Sequence, residues 1–286
     1  MISDITLGQF FPGYSPIHKL DPRTKIILAV FFIVAVFVAN NPVSFLLLTL
    51  STIIIILVSR ISMKTILKSI KPIVFILLFT ALINVFMTVG EGEPLVSFWV
   101  IKIYTEGIAR AIMMALRVII LIVGTSVLLT YTTSPISLTD GLEALLSPLK
   151  KVNVPVHTFA MMMSIALRFI PTLVEETEKI MNAQKSRGAD FTTGSLVQRA
   201  KALIPLLVPL FVSSFKRAEE LATAMECRCY RGDKNRTKLV KLEYRARDFV
   251  FMAIFASLLG GLICLAILPY NIDSFGLVYD LLFYKV

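Results

Sequence analysis

The stretch Ala109-Arg-Ala-Ile-Met-Met-Ala-Leu-Arg-Val-Ile-Ile-Leu-Ile-Val-Gly-Thr-Ser-Val-Leu-Leu129 decides the fold class. Arg110 and Arg117 are its only charged residues. About 20 consecutive apolar residues, wound as a helix, cross the hydrocarbon core of a bilayer. A helix suits lipid because it satisfies its own backbone hydrogen bonds. Outward from this stretch the pattern recurs. Spans are expected at Ile26 to Ala39, stopping at Asn40-Asn41-Pro42, and at Val43 to Val58, ending at Ser59-Arg60. Two more are expected at Pro72 to Val89 and at Phe249 to Leu268, before Pro269. With Ala109 to Leu129 this makes five. Composition agrees: 56% of the 286 residues are hydrophobic and 17% charged, too apolar for an ordinary soluble surface. The first 25 residues are polar and carry Pro12, Pro16 and Pro22, so no cleavable signal peptide is expected there.

Net charge is +10, and 18 of the 29 Lys and Arg lie between Tyr131 and Arg247. Membrane proteins hold Lys and Arg in cytoplasmic loops. Lys19, Arg23 and Lys25 precede the first span, and Arg60, Lys64, Lys68 and Lys71 separate the second and third. The turn between spans one and two has no Lys or Arg, and the loop after span three carries Glu91, Glu93 and Glu106 against Lys102. This places the N-terminus in the cytoplasm, and five crossings then put the C-terminal tail outside. Basic charge also suits nucleic acid, but no nucleic-acid module is recognisable, so nucleic acid is not an expected partner. The lipid membrane is.

Thr132 to Arg247 is too long for a passive loop and too periodic for disorder. Ile170, Leu173, Val174, Thr177, Ile180, Met181 and Gln184 follow the spacing of one helix face, and Gly188 stands where a left-handed cap is usual. A second helix shows Phe211, Phe215, Ala218, Ala222, Met225 and Cys229 at similar spacing, with a kink or break expected at Pro205 and Pro209. The apolar run Ala202 to Phe215 is short for a span and is expected in the headgroup region or packed under the membrane helices. An amphipathic piece, Leu138 to Leu149, leads in, and Pro148 and Pro155 bracket a basic turn at Lys150 and Lys151.

Two segments in this region repeat at an offset of 41 residues. Glu178-Lys-Ile-Met-Asn-Ala-Gln-Lys-Ser-Arg187 matches Glu219-Glu-Leu-Ala-Thr-Ala-Met-Glu-Cys-Arg228 at Glu, Ala and Arg, with Ile opposite Leu. An arginine near a helix C-terminus is favoured by the macrodipole by about 0.3–1 kcal/mol, so one such tip is unremarkable. Two related tips suggest a device for a two-fold partner, since the planar guanidinium can hold carboxylates in a groove.

Chemistry within the chain is otherwise sparse. There is no phosphate-binding loop, no His-Glu-x-x-His, no nucleophile elbow and no calcium loop. No catalytic residue, metal ligand or bound cofactor is therefore expected. Cys227 and Cys229 stand one residue apart with no histidine nearby, an unsuitable zinc spacing. His18 and His157 read as solvated or capping residues. Arg117 lies well inside a span and needs a partner or an aqueous face, either in another subunit or within the bundle. The paired intramembrane acids usual in ion-coupled transporters are absent.

Four segments, in order and at this spacing, resemble the transmembrane T component of energy-coupling factor (ECF) transporters, the ABC-type importers of vitamins and metal ions. They are Ser15-Pro-Ile-His-Lys-Leu-Asp-Pro-Arg-Thr-Lys25, Ser164-Ile-Ala-Leu-Arg-Phe-Ile-Pro-Thr172, Ala183-Gln-Lys-Ser-Arg-Gly-Ala-Asp190 and Ala218-Glu-Glu-Leu-Ala-Thr-Ala-Met-Glu-Cys-Arg-Cys-Tyr-Arg-Gly232. The resemblance implies an all-α integral membrane protein of about five transmembrane helices plus cytoplasmic amphipathic coupling helices. It implies a membrane region 1–130, a coupling-helix region 131–247 and a C-terminal span and tail 248–286, in the prokaryotic cytoplasmic membrane. It further implies two ABC-type ATPase partners, as a heterodimer or homodimer, and a substrate-binding S component, with ATP and Mg2+ held by the ATPases. The family's two Ala-Arg-Gly motifs, whose arginines enter the ATPase grooves, fall on Ser186, Arg187 and Gly188 and on Cys227, Arg228 and Cys229. Arg231-Gly232 stands as an alternative to the second. Candidate S-component contacts are Met161, Met162, Met163, Leu206, Leu207, Leu210, Phe211 and Phe215. The competing reading is a self-sufficient permease without ATPase partners, which would transport in liposomes alone and without ATP.

Overall fold

A computed structural model describes residues 10–88, 96–98, 101–189, 195–230, 232 and 242–267. The described residues are all-α apart from one antiparallel ribbon. The ribbon pairs β1 (Val96–Phe98) with β2 (Ile101–Ile103), Val96 opposite Ile103. The chain divides into two compact units: Phe10–Ser134 with the segment from Leu242, and Pro135–Lys241.

The first unit holds α1 (Pro22–Val38), α2 (Pro42–Ser59), α3 (Met63–Ile70), α4 (Val74–Met87), α5 (Thr105–Thr125) and, late in the chain, α9 (Ala246–Ile267). Punctuation residues set the helix ends. Asp21 caps α1 by accepting the amide of Arg23 at 2.9 Å, with Pro22 in the first helical position. Pro42 opens α2, and Arg60 closes it in the left-handed region at φ 56°. A 3₁₀ turn at Lys71–Ile73, around Pro72, joins α3 to α4. A wider five-residue turn of π type, Ser126–Thr130, ends α5. The buried face of α1 is Leu28, Phe32, Ala35, Val36 and Ala39, the spacing of one helical stripe. Leu48 and Ile55 of α2, Ile120 and Val123 of α5, and Phe255 and Leu262 of α9 complete the core. A methyl group on Gly124 would lie 2.1 Å from Phe32, so glycine is what lets α5 approach α1. Phe37, Leu46, Leu57, Phe75 and Phe79 face outward, as lipid-facing residues do.

The segment Ser15–Lys25 forms a knot at the start of α1. The Asp248 carboxylate, 1% exposed, accepts the amide of Asp21 at 2.9 Å through one oxygen and the amide of Arg245 at 2.8 Å through the other. Arg245 precedes α9, so the Asp248 carboxylate caps that helix start from its first turn while also closing the start of α1. Lys25 donates to the carbonyls of His18 (3.2 Å) and Thr132 (2.8 Å). The His18 ring bridges the Ser15 hydroxyl (2.6 Å) and the Phe11 carbonyl (3.0 Å). Burial lowers the pKa of His18 against the opposing pull of the Phe11 carbonyl, and Lys25 adds to the lowering. The neutral ring therefore donates to Phe11 and accepts from Ser15. The reading of His18 as a solvated or capping residue gives way to a half-buried ring tied into this knot through both nitrogens.

The other end of α1 is tied as well. Arg117 donates to the Ala39 carbonyl at 2.7 Å and to Asn40 at 3.2 Å, 5.3 Å from the Phe45 ring. The half-buried cation thus finds its partner inside the bundle, at the negative end of a helix dipole. Asn41 donates to the Leu265 carbonyl near the end of α9 at 3.3 Å. So α1 and α9 meet start to start and end to end, and they run parallel. The end of α9 lies on the side of the α1–α2 turn. Thr132, just after α5, and Asp248, in the first turn of α9, both lie at the start of α1.

Among the described residues, five helices are long and apolar enough to cross a membrane: Pro42–Ser59, Met63–Met87, Gly107–Thr130, Val156–Ser186 and Ala246–Ile267. The number matches the expected five, but the membership differs. The first expected span is the 17-residue α1. The newcomer, Val156–Ser186, lies in the stretch read as cytoplasmic, where the periodic reading began only at Ile170 and missed the apolar half before it. The chain leaves and re-enters the first unit at the same end, so Val156–Ser186 crosses only if another element of its unit crosses back.

Replacing Asp248 with Asn should remove the charge that serves two helix starts. A loss of about 2–3 kcal/mol is expected, read as a lowered thermal midpoint of the purified chain in detergent. An unchanged midpoint would deny the carboxylate this role.

Candidate functional site: two arginine-capped helix tips

The second unit is built on α6 (Pro135–Leu146), α7 (Val156–Ser186) and α8 (Leu196–Cys227). A 3₁₀ segment, Ser147–Val152, carries Lys150 and Lys151 and closes on Asn153 at φ 60°, where the basic turn was expected. His157, at the start of α7, is buried and pairs with Glu143 of α6 at 2.9 Å. This corrects its reading as a solvated or capping residue: α6 packs over the first turn of α7 and takes the ring out of water. Pro205 and Pro209 lie within α8 without breaking it.

Both long helices end in the same way. At α7, the Ala189 amide donates to the Gln184 carbonyl (3.0 Å) and the Gly188 amide to Lys185 (2.9 Å), with Gly188 at φ 86°. At α8, the Tyr230 amide donates to Met225 (3.0 Å) and the Cys229 amide to Glu226 (2.8 Å), with Cys229 at φ 57°. These are two Schellman caps, bond for bond, 41 residues apart. Arg187 and Arg228 occupy the same capping position, and both are exposed. Neither has an ion-pair partner among the described residues. Ser186 and Cys227 are the last helical residues, also exposed. Each guanidinium thus stands at the negative end of a helix, fixed by backbone geometry and free to engage acceptors from outside the chain. Among the described residues no cluster of His, Cys, Asp or Glu could hold a metal ion. Arg231 lies outside the described residues.

The apolar candidates separate by exposure. Met162, Met163, Leu207, Phe211 and Phe215 are exposed, and the Phe211 and Phe215 rings stack at 4.7 Å. Met161 and Leu210 are half-buried. Leu206 is buried at 5% exposure and leaves the candidate surface. The exposed stripe also includes Ile204, Val208 and Val212, which the sequence reading missed. Their signal was the i, i+3, i+4, i+7 period itself. The face from Phe211 to Cys229, read as a helix face by its spacing, is largely exposed.

Comparison with known proteins gives this architecture its class. A family model described as "CbiQ: Cobalt transport protein" matches residues 13–239. The chain is 53% identical over 268 residues to the "Energy-coupling factor transporter transmembrane protein EcfT" of Clostridium kluyveri, covering 94% of this chain and 97% of that one. It is 49% identical over 262 residues to the protein of the same name from Bacillus subtilis, covering 91% and 98%. The chain belongs to this family, as a transmembrane component of energy-coupling factor transporters. It is a transport component and not a catalytic subunit.

The two caps differ in their left-handed residue, and this is testable. Gly188→Val should fray the end of α7 by about 1 kcal/mol, because a branched side chain resists positive φ. Cys229→Gly should tighten the end of α8 by a few tenths of a kcal/mol, up to about 1. Hydrogen exchange of the peptides ending at Ala189 and Tyr230 reads both. Equal exchange in all three proteins would sink the cap assignment.

Proposed function

We propose that this chain is the energy-coupling scaffold of its transporter. Arg187 and Arg228 dock into two ABC-type ATPase subunits, a heterodimer or a homodimer, and α7 and α8 pass their motion to a substrate-binding S component. ATP and Mg2+ are bound by the ATPases and not by this chain. The S component selects the cargo, a vitamin or a metal ion. The observation that carries this reading is the pair of matched caps, each presenting an exposed arginine. Ser186 and Gly188 on one tip, and Cys227 and Cys229 on the other, shape the surface around each guanidinium. The exposed stripe Leu207, Phe211 and Phe215, with Met162 and Met163, is the proposed S-component face. Apolar side chains at helical spacing suit a partner helix laid along them, and methionine adapts to differing partners.

The protein resides in the prokaryotic cytoplasmic membrane with its N-terminus in the cytoplasm. The basic residues before α1 support that orientation. The end of α9 is then outside, since α9 runs parallel to α1.

Arg187→Glu and Arg228→Glu should each lower ATP-driven uptake by about tenfold or more, and together should abolish co-purification of the ATPases. If the double variant assembled and transported normally, the docking role would be wrong. Orientation has its own test. Tyr14 is 92% exposed. Tyr14→Cys, with the three native cysteines replaced by serine, should resist a membrane-impermeant maleimide in intact cells and react after permeabilisation. Labelling in intact cells would reverse the topology.

A further inference from the structure

Equivalent positions of the 41-residue repeat touch each other. Arg217 of α8 donates to the Glu176 carboxylate of α7 at 3.1 Å, and the two are 41 residues apart. That step also carries Gln184 to Met225, Arg187 to Arg228 and Gly188 to Cys229. When two like elements are related by a two-fold rotation, residue i of one meets j of the other and j meets i. A position meets its own counterpart only on the rotation axis. The bridge joins α7 and α8 at one such counterpart pair, as a local pseudo-two-fold between them would require.

Two consequences follow from that placement. Each tip arginine lies 11 residues past its bridging residue, about 16 Å of helix at 1.5 Å per residue. The arms are equal. Identical residues on the axis would set like charges face to face, whereas Glu on one element and Arg on the other turn that repulsion into attraction. The likeness weakens on the other side of the bridge, where α8 carries Pro205 and Pro209 and α7 carries Pro171. The symmetry is thus kept on the side that ends in the arginines. The side chains of Glu176 and Arg217 are 25% and 38% exposed, so the pair adds little to overall stability. Its effect is one of position.

We propose that Glu176 and Arg217 are positioning residues that hold the two arginine tips equidistant from one axis, so that a two-fold partner receives them in equivalent grooves. This rests on the docking role of Arg187 and Arg228. It adds that their spacing is set within this chain, at the bridge, before any partner arrives.

Lys185 and Glu226 are exposed and equivalent in the repeat. Spin labels on cysteines at these positions, in the full chain in nanodiscs with the native cysteines replaced, report the distance between the arms. A single narrow distribution is expected. Glu176→Arg should broaden or shift it, and Glu176→Arg with Arg217→Glu should restore it. Should Glu176→Arg fail to reach the membrane, Glu176→Gln takes its place with the same expected direction. In the complete transporter with native cysteines, Glu176→Arg should lower uptake by about fivefold or more, and the exchanged pair should recover it to within about twofold. Distances indifferent to Glu176→Arg, or an exchanged pair no better than the single variants, would overturn the proposal. Distances that respond as expected, with transport indifferent to Arg187→Glu and Arg228→Glu, would leave the positioning standing and remove the docking role.

Discussion

The Asp248 carboxylate, almost wholly buried, accepts one amide from the start of α1 and one from the start of α9. Both helix starts carry unsatisfied N–H groups and the positive end of a dipole. One anion serves both, 227 residues apart in sequence. Much else is held through this point. It pins the start of the last helix against the start of the first, so the two run parallel. Lys25 adds the end of α5 to the same knot through the Thr132 carbonyl. Without it, nothing in the hydrophobic packing would set α9 parallel rather than antiparallel to α1 at this end, because Leu and Phe contacts are indifferent to direction.

The far end of α1 uses the opposite polarity. Its last carbonyls are negative, and Arg117 meets one of them at Ala39. The arrangement disposes of a charge that a bilayer tolerates poorly. Each end of α1 is thus closed by a residue from another helix carrying the complementary charge. Between the two closures only shape matters, and Gly124 against Phe32 is its tightest point.

Much of this was legible in the sequence because its cause is local. Helix ends followed Asn40-Asn41-Pro42, Ser59-Arg60 and Gly188, each of which acts on its own backbone; the start of α1 at Pro22 lay four residues before the expected Ile26. The repeat was visible as well, and the structure matched its two caps bond for bond. What the sequence withheld depends on distant partners. Asp248 drew no reading of its own, His157 read as a solvated or capping residue, and Leu206 read like its exposed neighbours. Each is defined by what another element brings to it. The apolar half of α7 was missed for a different reason. The charged half that follows, from Glu175, gives a clear amphipathic period, and that period drew the whole helix into the polar class.

The caps that close α7 and α8 have one backbone and two compliances. Glycine has wells of similar depth on both sides of φ zero, so the chain beyond Gly188 can turn away from α7 at little cost. A cysteine held at φ 57° sits in a narrow well. It either stays there or leaves for a distant region of backbone space. The chain therefore leaves the first tip through a soft joint and the second through a stiff one.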